Sequence, residues 1–120
     1  PVRTNFPDAK SKFNVLKVSR GFYVLVNNAN PAFRNPLCIS VSRDGLVFSS
    51  LRKLPIPSSI DGVAWEKDTL YSIKYRDAKY DSFQYPHVIE QDGSLLIAFS
   101  RKKQSVEVLK ISLDEIEELL

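Results

Sequence analysis

Two short stretches hold the side chains able to do chemistry. Tyr85 opens the run Tyr85-Pro86-His87-Val88-Ile89-Glu90, and His87, two residues on, falls on the same face of an extended strand. A phenol and an imidazole at one strand entrance offer a hydrogen-bonding hydroxyl and an acid/base group. Arg34 and Asn35 stand in a loop rich in Asn and Pro, a composition that favours exposure and ligand contact. Each also has a plain structural reading: Tyr85 as a packing residue with its hydroxyl on a backbone group, His87 as a hydrogen-bonded strand residue, Arg34 as a surface cation. Lys12 suits a surface ion pair with Asp8. Arg101-Lys102-Lys103 reads as a solvated turn, because nucleic-acid binding asks for aromatics interleaved over a larger basic face.

The elements that must position these groups are β-strands. Phe13–Val18 and Phe22–Val26 are β-prone runs joined by Ser19-Arg20-Gly21, which reads as a hairpin. Leu37, Ile39 and Val41 alternate to one face of the next run, and Asp44-Gly45 turns the chain into Leu46-Val47-Phe48. Four antiparallel strands with short turns have the shape of one propeller blade, about residues 12–56. Pro55, Pro57, Ser58 and Ser59 break the pattern, and an inter-blade excursion fills about 57–84, with a further hairpin around Trp65. A second unit follows at about 85–112, in three strands: Pro86–Glu90, an Asp92-Gly93 turn, Leu95–Ser100 and Val106–Ile111. A short helix closes the chain at 113–120, where Ser112 and Glu115 fit a capping box, Ile111 and Ile116 fit a hydrophobic staple, and acids crowd the first turn. The fold class is therefore all-β with a terminal helix. About two blades cannot close a ring of four to eight, so the rest of a propeller, or self-association through open sheet edges, is expected to complete it.

Bulk properties narrow the chemistry. With 120 residues, 43% hydrophobic and 26% charged, the chain is the size and composition of one globular domain. No run approaches the roughly 20 apolar residues of a membrane helix, and the first six residues lack the apolar stretch of a signal peptide. Cys38 is the only cysteine, which excludes an intrachain disulfide and a thiolate zinc cage, and its apolar neighbours suit a packed small hydrophobe. No cofactor and no metal is implied. The net charge of +3 is too small to argue for nucleic acid, but residues 1–60 carry nine Lys/Arg against two Asp/Glu, while 61–120 carry eight against twelve. The basic first half can attract an anionic ligand; a solvated surface of unequal charge accounts for it equally well.

Three stretches carry a family likeness: Phe6–Lys12; Arg34 to Phe48; and Tyr85 to Ser100. Through them the whole chain resembles the C-terminal part of sialidase-like, BNR-repeat β-propeller glycoside hydrolases, six-bladed in the expected parent. Ser42, Asp44, Gly45 and Phe48 are similar to that family's Asp-box, with Asp and Gly adjacent rather than separated, and the Asp of such a box ties down a hairpin turn. The resemblance implies three arginines around a sugar carboxylate, a tyrosine nucleophile activated by a glutamate, and an aspartate acid/base. Carried over, Tyr85 matches the nucleophile and Arg34 one arginine. Lys12 falls where the activating glutamate is expected and Asn28 where another arginine is, two departures from the pattern. The remaining arginine and the aspartate are expected in blades that precede this chain.

The resemblance thus implies a glycosidase on a glycan or acidic sugar, with Tyr85 catalytic and Arg34, Lys12, Asn28, Asn35 and His87 lining the site, extracellular or periplasmic, with no nucleic-acid or membrane partner. The alternative is a propeller that binds carbohydrate or protein and has lost the catalytic constellation. An independent two-sheet domain is the third class.

Overall fold

Both Gly-centred hairpins form, and each begins an antiparallel meander. The computed structural model describes residues 3–6, 11–30, 34–57, 82–103 and 105–120. Strands β1 (Asn14–Lys17), β2 (Tyr23–Asn28), β3 (Leu37–Ser42) and β4 (Ser49–Lys53) form one sheet in that order. Strands β5 (Phe83–Gln91), β6 (Ser94–Arg101) and β7 (Ser105–Ser112) form a second, followed by helix α1 (Leu113–Glu117). The described chain is mostly antiparallel β-sheet with one short helix. The hairpin expected around Trp65 and most of the excursion around it lie outside the described residues, as does the Asp8 partner expected for Lys12.

The turns account for the register. Asp92 and Gly93 both take positive φ, 50° and 76°, the geometry of a two-residue type I′ turn, and Gln91 pairs with Ser94 across it. After β3 the chain departs from the expectation that Leu46–Phe48 is a strand. The Asp44 Oδ1 accepts from the N–H groups of Leu46 and Val47 at 2.8 and 2.9 Å, which removes both amides from any ladder and delays β4 to Ser49. Strand β5 starts at Phe83, two residues before the expected boundary. Its Pro86 is tolerated because β5 is an edge strand that carries a bulge between Gln84 and His87.

One core serves both sheets. Val24, Val26, Ile39 and Val41 from the first sheet cluster with Val88, Leu95, Ile97 and Phe99 from the second, and Leu113 and Ile116 of α1 join them. The alternation of each strand decides which residues enter, as Val24 pairs with Val41 and Val88 with Ile97. Ser112 caps α1 through Asp114 N–H at 3.1 Å, one residue earlier than the expected box position, and Leu113 N–H donates to Gly93 O at 2.9 Å.

Polar latches hold the β1–β2 turn to the second sheet. Ser19 donates to the Glu90 carboxylate from its backbone N–H at 2.7 Å and its hydroxyl at 2.5 Å. Arg20 reaches Asp114 and Glu117 of α1, both at 2.8 Å. The Ser19 hydroxyl, then the Ser19 amide, hold the Glu90 pKa below its ordinary value. A carboxylate whose folded pKa is depressed stabilises the fold above its unfolded pKa, about 4.3, and loses that contribution as pH falls through the folded value. Glu90→Gln is therefore expected to lower stability near neutral pH and to flatten the acid limb of a stability–pH curve measured by urea unfolding; an unchanged acid limb contradicts the latch.

Candidate functional site

Two segments are tied directly to the start of β5, and a third is joined to one of them. Phe83 N–H donates to Arg34 O at 2.8 Å, which fixes the loop before β3. Lys102 N–H donates to Ser82 O at 2.8 Å, which fixes the β6–β7 turn. Ser11 donates to the buried Asn28 Oδ1 at 3.0 Å, and Asn28 Nδ2 makes a long 3.5 Å bond to Pro36 O. The segment carrying Lys12 is thereby joined to the loop carrying Arg34.

Tyr85 stands where these segments meet. It lies within the bulge with φ of 54°, a left-handed conformation in which a bulky side chain is an outlier, and it remains 46% exposed. The ammonium groups of Lys12 and Lys103 each lie 5.4 Å from its ring centroid. Its phenol pKa is lowered, first by a hydrogen bond from Lys103, then by the charge of Lys103 and by the hydrogen bond and charge of Arg34, against partial desolvation. The site is thus a phenol among three cations drawn from three parts of the chain. An arrangement of this kind stabilises negative charge on the phenol oxygen or on a ligand beside it.

The other expected site residues occupy different settings. Asn28 is fully buried, so it holds the loops together from inside. Asn35 is exposed and lines a cavity of about 180 Å³ with Pro36, Lys53, Ile56 and Phe83 among its walls. That volume lies under the roughly 300 Å³ at which pockets for drug-sized ligands begin, so the site is an open patch flanked by a small recess. His87 is exposed and pairs in register with Ala98, opposite in alternation to the core residue Val88. Tyr85 and His87 are both exposed, with Pro86 and Val88 buried between and beside them, and the register of β5 on β6 shifts between Gln84 and His87. Cys38 is buried, and burial pushes its thiol up, which suits the packed role.

Of the basic run, Lys102 and Lys103 form the expected turn, but Arg101 ends β6 and is not solvated. Arg101 is completely buried, because it continues the inward series Leu95, Ile97, Phe99 at the end of β6. Its guanidinium meets the Glu107 carboxylate through Nε at 2.5 Å and Nη2 at 3.0 Å, donates to Pro57 O at 2.6 Å and lies 5.1 Å from the Phe83 ring centroid. Lys103 takes a left-handed φ of 55° in the turn that follows and reaches Tyr85. The signal that could have found Arg101 is register: the hairpin from Asp92-Gly93, run on past its hydrophobic stretch, carries Arg101 to the start of β5, where the bulge sets it opposite Phe83.

The Asp44 turn has the side-chain geometry its residues suggest. Beyond the two amides of Leu46 and Val47, Asp44 Oδ1 accepts the Ser42 hydroxyl at 3.0 Å, and Ser42 Oγ accepts Gly45 N–H at 2.8 Å. These bonds hold the Asp44 pKa below its ordinary range, the Val47 and Leu46 amides first among the causes. Phe48 is buried behind the turn, edge-on to Phe6 with ring centroids 5.7 Å apart.

No protein-family model matches this chain, and no curated protein and no solved structure matches it significantly.

Arg101 supports the site from below, and the pair it makes is buried. Removing one partner of such a pair costs about 3–5 kcal/mol, because it leaves a charge in a dry place. Glu107→Ala is expected to destabilise the protein by that amount in urea unfolding; a loss under about 1 kcal/mol, the scale of exposed pairs, contradicts the buried assignment.

Proposed function

We propose that this chain is part of a sialidase-like glycoside hydrolase acting on acidic glycans, and that its two sheets are neighbouring blades of a β-propeller. One observation carries the functional reading: Tyr85, half-exposed and strained, has Arg34, Lys12 and Lys103 gathered on it. Three cations on one accessible phenol suit a carboxylate-bearing sugar and a tyrosine whose oxygen attacks beside it. The blade reading is supported by two consecutive meanders that share a core and by the Asp44 turn with its buried Phe48. It is also supported by Val106, 78% exposed, and Val108, 64% exposed, on β7, which leave an apolar sheet face open to a further blade.

A second reading, a propeller that binds acidic glycans without cleaving them, is favoured by Lys12. An ammonium stands at the Tyr85 ring where the resemblance asks for an activating carboxylate, and an ammonium has no lone pair to take a proton.

The two readings part in one assay. The full polypeptide carrying this chain, given a panel of sialylated and uronic-acid glycans, is expected to release product, with kcat falling about 10²-fold or more in Tyr85→Phe and KM rising in Arg34→Ala. Saturable calorimetric binding with no product leaves the non-catalytic reading. No turnover and no binding across acidic and neutral glycans contradicts both.

A further inference from the structure

Four strands form the outer edges of the two sheets, and three of them are blunted against further pairing. β1 has four residues, β4 shifts register against β3 and carries Arg52 and Lys53, and β5 holds Pro86 and its bulge. β7 has none of these devices. Its eight residues pair with β6 without a shift, include no Pro or Gly, and present Val106 and Val108, 78% and 64% exposed. The second meander also stops at three strands where the first has four.

The turn before β6 decides which backbone groups of β7 face outward. Gln91 and Ser94 flank a two-residue turn, so they exchange both backbone bonds, and Ser94 is turned toward β5. Alternation then turns Leu95, Ile97 and Phe99 toward β7, where they meet Ile111, Leu109 and Glu107. The Leu113 N–H on Gly93 O and the Lys102 N–H on Ser82 O keep the same phase. Val106, Val108 and Lys110 therefore aim N–H and C=O off the sheet edge, and among the described residues nothing bonds to them.

We propose that β7 is the interface of a twofold dimer, in which β7 of a second copy of this chain adds antiparallel to the edge with Val108 at the axis. The inference is independent of the glycosidase reading. An edge of open amides calls for another strand, and the side chains select a second copy. About a twofold axis normal to the sheet, contacts are reciprocal. With Val108 on that axis, it faces Val108 of the second copy, Val106 faces Lys110 of the second copy, and each outward amide from Val106 to Lys110 finds a carbonyl. The exposed valines are then flanked by one another and by the apolar stems of Lys110. Moving the axis to Glu107 sets two carboxylates directly opposite, and moving it to Lys110 sets two ammonium groups so, both destabilising. An axis on Leu109 carries Val106 onto Ser112, where β7 ends in the cap of α1. A further blade stacked on the apolar face of this sheet leaves the edge open, so the dimer is compatible with a propeller.

The test is sedimentation equilibrium of the full polypeptide carrying this chain, at concentrations up to about 1 mM. A concentration-dependent dimer is expected. Val108→Pro is expected to abolish it and to leave urea unfolding of the monomer cooperative, because the lost N–H points off the edge and not into the ladder with β6. Should Val108→Pro fail to fold, Val108→Lys keeps the amide, sets like charges opposite one another at the axis, and is expected to raise the dimer Kd about tenfold or more. Register is read by oxidation. A hydrogen-bonded antiparallel pair holds its Cα atoms about 5.5 Å apart, within disulfide range, so Val108→Cys is expected to cross-link to itself. Val106→Cys, which faces Lys110, is expected not to, and the native Cys38 is buried. A monomer throughout, a dimer unchanged in Val108→Pro and Val108→Lys, or cross-linking through Val106→Cys in preference to Val108→Cys overturns the inference. A monomer that releases product from acidic glycans defeats this inference alone, and a dimer cross-linked at position 108 that neither cleaves nor binds them defeats the glycan readings alone.

Discussion

The structure depends on one constraint: each sheet has an apolar face that packs against the other sheet. Val24, Val26, Ile39 and Val41 leave water when Val88, Leu95, Ile97 and Phe99 do. Complete burial of side chains of this kind is worth about 1.5–3 kcal/mol each, whereas the exposed latches at Glu90 and Arg20 orient the contact more than they drive it. The short helix completes the arrangement, with Leu113 and Ile116 on the same core and its first amide on the Gly93 carbonyl. Everything at the site follows from that packing, since β5 is the strand through which the second sheet meets β1 and β2.

Positions on β5 are then set by hydrogen bonds that have nothing to do with chemistry. Phe83 and Ser82 secure the Arg34 loop and the β6–β7 turn, and the bulge lifts Tyr85 out of the ladder toward both. Three like charges converge as a result. Two unit charges 4 Å apart repel by about 1 kcal/mol in water and about 4 kcal/mol at the effective dielectric of a protein surface. A cluster of this kind is relieved by negative charge, and both candidates for supplying it, an ionised Tyr85 and an acidic ligand, compete for the same cations. On the proposed reading that competition links ligand charge to the state of the nucleophile.

Much of the fold was legible in local chemistry. Gly21 and Asp92-Gly93 announced two hairpins, the alternation of Leu37, Ile39 and Val41 announced the core face of β3, and Ser112 announced the helix start. The places where pattern misled are those where a side chain captured the backbone or a strand continued further than its hydrophobic run. Asp44 took the amides of Leu46 and Val47, so an apolar triplet became a turn. Arg101 kept the inward phase of β6 and met Glu107 of β7, so the first residue of a basic run became half of a buried pair while Lys102 and Lys103 turned the chain. Of the candidate site, Tyr85, Arg34 and Lys12 were visible as residue types, and the structure draws them together. Lys103 was hidden because its position depends on register through a bulge, and the internal place of Asn28 depends on burial that no residue type discloses.

The central claim is that Tyr85, Arg34, Lys12 and Lys103 form one site for an anionic sugar. The most direct measurement is the NMR signal of the Tyr85 ring in ¹³C-tyrosine-labelled protein titrated with sialic acid and, separately, with neutral N-acetylglucosamine. A saturable shift of the Tyr85 signal with sialic acid, absent with the neutral sugar and lost in Arg34→Ala, is the predicted result. A Tyr85 signal that stays in place, or that moves equally with both sugars, contradicts it.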